Sequence, residues 1–230
     1  MRSRLLASLV SAVLVAGGVA ACGGSGGSGN GVAAKSADGI VAAAAASVKG
    51  VTAFRISGTV ASGGQQITLD LSLVAGKGAS GTLTENGLSF KLIAIGKTIY
   101  INGSPGFWRH FGGAAAATLF QGKWLKAPLG SGNFASLSSL TNAGELFNKL
   151  LDTHGTLKKV GQTTIAGQKV VGVRDLTKGG TLYVATNGPA YPIEIVSAGA
   201  DQGHVSFGDF GQSTALTAPA GAIDISQLKG

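Results

Sequence analysis

The side chain best suited to covalent chemistry in this 230-residue chain is Cys22, its only cysteine. A thiolate is an intrinsically strong nucleophile, and no neighbouring residue type could replace it. Cys22 ends the run Val19-Ala20-Ala21-Cys22. Other chemistry is sparse. His110, His154 and His204 stand far apart, without HExxH or a cysteine pair, so no zinc or iron site and no cofactor are expected. Gly23-Gly24-Ser25-Gly26-Gly27 has the GxSxG spacing, but no strand precedes it and no helix follows. The GxGxxG spacing at Gly76-Lys77-Gly78-Ala79-Ser80-Gly81 joins two strands rather than opening a helix, so no helix dipole would meet a phosphate. Asp209-Phe210-Gly211 spells a kinase metal motif without the catalytic loop that gives it meaning. Glu145 and Asp152 fall in one helical region and read as a solvated face. No enzymatic activity is expected.

The residues before Cys22 explain its position. Arg2 and Arg4 form a positive start, Leu5 through Val19 an apolar stretch, and small residues precede the cysteine. That is the pattern of a secretory signal peptide over 1–21. About 15 apolar residues are too few to span a bilayer comfortably, where roughly 20 are needed. The small-residue run ending in a lone cysteine resembles the bacterial lipobox. The resemblance implies that the Cys22 thiol takes a diacylglyceryl group and becomes the new N-terminus. After Cys22 comes Gly23-Gly24-Ser25-Gly26-Gly27-Ser28-Gly29-Asn30-Gly31, the composition of a flexible tether. Residues 22–36 are read as lipidated cysteine plus tether, with a reach of roughly 20 Å over 23–36. Two acyl chains would anchor stably where one is marginal.

Composition narrows what the rest can be. The leader holds two of the 18 basic residues and none of the 10 acidic ones, which leaves a net charge of +6. The positive residues are scattered, which suits an anionic membrane face and argues against nucleic acid. Charged residues make up only 12%, and there are 39 glycines. So much glycine disfavours helix interiors and points to strands and turns. The remaining length suits one domain, 37–230.

Along that domain, Ser36-Ala37-Asp38 caps a helix over Gly39–Val48. Strands follow. Phe54, Ile56, Gly58 and Val60 alternate with polar residues, as do Ile67, Leu69, Leu71 and Leu73. That period marks antiparallel strands with one wet face. Ala79–Thr84, Leu88–Ile95 and Thr98–Ile101 complete a five-stranded meander over 51–103, with turns at Asn86-Gly87, Gly96-Lys97 and Asn102-Gly103. Phe107, Trp108, Phe111 and Trp124 form an aromatic group suited either to pack an insert on the sheet or to line a cavity mouth or membrane interface. Helical periodicity recurs over 134–151. About six further strands follow: Leu157–Val160, Thr163–Ile165, Gln168–Arg174, Thr181–Ala185, Ile193–Val196 and His204–Phe207. Ile223–Leu228 forms a closing segment. The simplest arrangement is an α+β fold, one large curved antiparallel sheet with helices over its concave face. Alternation puts Phe54, Ile56, Leu69, Leu71, Leu73, Leu92 and Ile101 on that inner face. They are the expected walls of an apolar cavity, or the ordinary core of a filled one.

Particular segments resemble the actinobacterial LppX/LprG-type lipoproteins, which share a half-barrel with the LolA-like carriers. Val51-Thr52-Ala53-Phe54-Arg55-Ile56-Ser57-Gly58 is similar to their first strand. Gly180 through Ala185, Asn187-Gly188-Pro189 and Tyr191 through Ile195 resemble their strand–turn–strand unit. Val205 through Gly211 and Ala218 through Ile225 resemble their late strand and closing segment. The resemblance implies a lipoprotein on the outer face of the cell membrane, holding a lipid or glycolipid in an apolar cavity. An envelope transport partner would be of unknown identity. The alternative is a surface-anchored scaffold or protein-binding module with a filled core.

Overall fold

A computed structural model describes residues 29–62, 64–130, 154–197 and 202–228. The leader 1–21, Cys22, the spacing at 23–27 and the helical periodicity of 134–151, with Glu145 and Asp152, lie outside the described residues.

The first helix, α1 (Ala37–Val48), ends where the sequence predicts and starts two residues earlier, with the Ser36 hydroxyl accepting the Gly39 N–H at 3.2 Å. A capping oxygen satisfies one of the four orphan N–H groups of a helix start. Five strands follow as an uninterrupted meander: β1 (Ala53–Ser62), β2 (Gln65–Val74), β3 (Gly78–Glu85), β4 (Leu88–Ile95) and β5 (Thr98–Gly103). Asn86 and Gly87 both take positive φ, 48° and 81°, which is what a tight two-residue hairpin requires. Asn102-Gly103 is not a turn. It completes β5, and Asn102 donates from its amide to the Lys123 carbonyl at 2.9 Å. The chain then enters α2 (Pro105–Phe120), capped by Ser104 and kinked at Gly113. Next come β6 (Leu125–Pro128), β7 (Leu157–Ile165), β8 (Gln168–Asp175), β9 (Thr181–Ala185), β10 (Pro192–Ser197), β11 (Gly203–Gly208) and the two-residue β12 (Ile223–Asp224), closed by a 3-10 turn over Ile225–Leu228.

All twelve strands form one sheet, ordered β12-β6-β5-β4-β3-β2-β1-β11-β10-β9-β8-β7. Every pairing is antiparallel except β12 with β6. The two halves are stitched through β1 and β11, where Ile56 faces Phe207. Gly161 does not separate two strands. It sits within β7 at a register shift between Lys159 and Gly161, with φ 107°, so the chain bends without leaving the sheet. The GxGxxG spacing serves packing between strands. A Cβ on Gly78 would meet the Ala94 carbonyl oxygen at 1.9 Å, and one on Gly81 the Asp70 carbonyl oxygen at 2.0 Å.

Register aligns side chains into rows across the sheet. One row runs Phe54, Leu73, Ala79, Ala94, Ile99 and Ala127. All six are buried. Two cores lie on this face. α1 packs with Phe54, Ile56, Leu71, Leu73, Leu92, Val173, Leu182 and Val184. α2 lays Phe107 and Trp108 on Ile99, Ile101, Leu125 and Ala127. The aromatic group therefore packs the insert onto the sheet. Gly103 makes this possible, because the Phe107 ring comes within 2.4 Å of where a Cβ would stand. On the other face Val170, Ala185 and Ile193 form a small buried cluster across β8 to β10, while at β1 and β2 Arg55 grips Asp70 through two 2.7 Å bonds.

Residues 30–36, which composition assigns to the tether, are docked. Asn30 donates its side-chain amide to the Ala185 and Gly188 carbonyls, both at 2.9 Å, and its backbone N–H to Thr186. Val32 is buried in the α1 core. Lys159 Nζ donates to the Ala33 and Lys35 carbonyls at 3.0 and 3.1 Å. Composition hid this because Asn30 and Val32 are single anchors in a glycine-rich run.

Candidate functional site

The sheet buries its inner face unevenly. A second row crosses nine strands in register: Val173, Leu182, Ile195, Val205, Gly58, Leu69, Leu83, Phe90 and Gly103. Its ends are buried, but Ile195, Val205, Leu69, Leu83 and Phe90 are only half-buried. These five span six adjacent strands, so the partly open apolar arc is about 24 Å long at about 4.8 Å per strand.

At one end of this arc lies a cavity of about 150 Å³, walled by Val41 of α1, Leu157, Val173, Leu182 and Ile195. Ile195 belongs to both, so the row of half-buried side chains begins at the cavity wall. Its rim is polar: His154, Asp175, Lys178, Gly180 and Thr181. A cavity of roughly this volume lined by aliphatic side chains accepts a benzene-sized apolar group.

Asp175 builds the rim. Its carboxylate accepts the Gly155 N–H at 3.0 Å on one oxygen, and those of Thr177 at 2.7 Å and Lys178 at 2.9 Å on the other. It is one of two buried polar residues, with Thr186, among the described side chains. The Gly155 bond first, then those from Lys178 and Thr177, hold its pKa below the usual carboxylate value. Around it, Leu176 N–H donates to the Thr156 carbonyl and Thr156 N–H to the Thr177 hydroxyl. The loop after β8 is thus pinned to the segment entering β7.

The residues expected as cavity walls divide by depth. Phe54, Ile56, Leu71, Leu73 and Leu92 sit in the packed α1 core, and none of them lines this cavity. Leu69 lies on the half-buried arc. Ile101 faces α2 instead, beside a smaller void of about 110 Å³ shared with Trp108 and Ile225. Alternation identified the face correctly but could not give position along the strand. The rim was missed because its residues are polar and its closure depends on backbone bonds.

His110 lies on α2, His154 on the cavity rim and His204 on β11. Among the described residues no three His, Cys, Asp or Glu side chains gather as a metal site, and no helix is long and apolar enough to cross a membrane. Asp209-Phe210-Gly211 is a turn after β11, in which Gly211 N–H donates to the Ala53 carbonyl.

Compared by sequence, the chain matches no protein-family model and no curated protein. Compared by structure, it is similar to LprF from Mycobacterium bovis, with a TM-score of 0.55, 14% identity, and coverage of 80% of this chain and 97% of that one. It is also similar to the lipoprotein LppX from Mycobacterium tuberculosis, with a TM-score of 0.53, 14% identity, and coverage of 79% and 98%. Such identity speaks to the fold. The chain has the LppX/LprF fold, an α+β half-barrel of one curved, almost wholly antiparallel sheet with helices on its inner face, as the resemblance in its sequence implies.

Proposed function

We propose that this protein is a cell-envelope lipoprotein that binds or carries a lipid-like molecule without bond chemistry. In this reading residues 1–21 are removed, Cys22 carries the diacylglyceryl anchor, and the domain beyond Gly29 stands outside the cytoplasmic membrane. One observation carries the ligand part: a cavity of about 150 Å³ with aliphatic walls, of which Ile195 also begins a row of half-buried apolar side chains. A single lipid chain spans half the hydrocarbon core, about 15 Å, which the arc's length accommodates. Six methylenes in the cavity would gain about 5 kcal/mol on leaving water. The polar rim then meets the headgroup. Val41, Leu157, Val173, Leu182 and Ile195 form the wall, Leu69 lies along the chain's path, and Phe54, Ile56, Leu71, Leu73 and Leu92 form the packed floor. That LppX is a lipoprotein of the same fold supports the reading.

The close packing of that floor favours the second reading, a surface-anchored scaffold with a filled core. Cavity-filling variants separate the two. Leu182→Trp and Ile195→Trp should weaken uptake of a fluorescent fatty acid at least about tenfold, equivalent to about 1.4 kcal/mol. Arg55→Ala, on the outer face, should leave uptake unchanged. No uptake by the unaltered protein would favour the scaffold, and uptake unaffected by either tryptophan would rule this cavity out as the binding site. For the anchor, Cys22→Ala should abolish acyl labelling and release the protein from membranes or leave it unprocessed. Persistent labelling would remove Cys22 from the account.

A further inference from the structure

We infer that the protein stands on an anionic lipid surface on one end of its half-barrel, with the cavity mouth at the far end. The inference rests on the reading of Cys22 as the lipid anchor. Asn30 is bonded to Ala185, Thr186 and Gly188, at the β9–β10 turn. The register places that turn at the same end as the starts of β1 and β3 and the ends of β2 and β11. The tether therefore leaves the body at this end. The cavity rim, with His154, Lys178 and Gly180, lies at the opposite end of β8 and β9.

Reach selects the orientation. From Cys22 to Asn30 the chain spans at most about 29 Å when fully extended. Strand β8, eight residues long and paired with the β9 end that holds Asn30, makes the body about 26 Å tall there. Standing on the far end would demand that the tether run nearly fully extended along the whole body. Standing on the tether end demands almost none. Charge is compatible with this choice but does not make it. The loops and strand ends at the tether end expose Lys49, Lys77, Lys97 and Lys169 against one acid, Asp209. None of the four lysines pairs with an acid among the described residues. Lysines near an anionic leaflet are attracted to it, less so at high salt. The far end also carries cations, among them Lys123 and Lys178, so its distance from the anchor is what sets it apart.

The test uses the processed, acylated full-length protein in vesicles of phosphatidylcholine and phosphatidylglycerol containing a headgroup nitroxide quencher. With the Cys22 thiol consumed by acylation, a fluorophore is placed at either end of β2, by Ala75→Cys at the tether end or Gln65→Cys at the mouth end. Gln212→Cys and Gln202→Cys, flanking β11, provide a second pair should either of the first fail to fold. Quenching severalfold stronger at 75 than at 65, or at 212 than at 202, is the expected result. Equal quenching, or stronger quenching at the mouth end, on protein whose intact mass shows the acyl group overturns the orientation alone. An intact mass without the acyl group overturns the anchor reading, and the orientation with it.

Discussion

Asp175 shows how one residue shapes the site. Its carboxylate takes three backbone N–H groups from two segments that would otherwise separate at the cavity rim. Those bonds lower its pKa in the folded chain from the usual 3.8. A carboxylate with a depressed folded pKa contributes stability above its unfolded value, and that contribution fades as pH falls through the folded value. The rim should therefore loosen first below about pH 4, before global unfolding. Amide exchange at Gly155, Thr177 and Lys178, followed by NMR from pH 6 to pH 3, checks this. Asp175→Asn, which presents an NH2 to one of these donors, should raise exchange at the same three amides already at neutral pH. If their protection is unchanged in the variant, the carboxylate does not organise the mouth. Such a residue is hard to find in sequence, since nothing around Asp175 marks it off from a surface acid. The apolar alternation of Ile67 to Leu73, by contrast, revealed the inner face directly. It could not reveal that Leu71 and Leu73 would be sealed beneath α1 while Leu69 stays half open, because depth depends on where the helix ends.

Elements were legible where local chemistry decides them. The cap at Ser36, the hairpin at Asn86-Gly87 and the meander of β1 to β5 all follow from side chains within a few residues. Ser36→Ala should cost about 1 kcal/mol of stability by removing the oxygen that accepts Gly39 N–H. Denaturant midpoints measure it, and no shift would mean that α1 is held by its packing alone. Elements were misread where tertiary contacts decide. Gly161 looks like a break, yet β8 holds β7 together across it. β6 has only Leu125 and Ala127 facing inward and is a strand because β5 pairs with it. The hairpin between β7 and β8 places Ala166 at φ 46°, a conformation that disfavours a Cβ. Ala166→Asn, a residue that tolerates that conformation, should stabilise the domain by about 1 kcal/mol. A thermal melt tests it, and an unchanged or lower Tm would argue against the turn as drawn.

At the scale of the molecule, the twelve strands of the described residues form a sheet whose edges, β12 and β7, stay apart, which leaves a concave apolar face to be covered. Helix α1 is rich in alanine and covers it with short side chains, sealing one end of the strands and leaving the other partly open. The half-barrel was foreseen from glycine content, alternation and resemblance together. The strap over Asn30–Ser36 was not, and it shortens the link between Cys22 and the body. The account makes one demand of the whole protein, that its inner face take up a hydrocarbon chain. Native mass spectrometry of the full chain, gently released from its own membrane, tests this most directly. The account predicts a population heavier by the mass of a lipid that is lost on denaturation, diminished in Leu182→Trp. A single mass equal to the acylated polypeptide, together with no uptake of a fluorescent fatty acid, would contradict it.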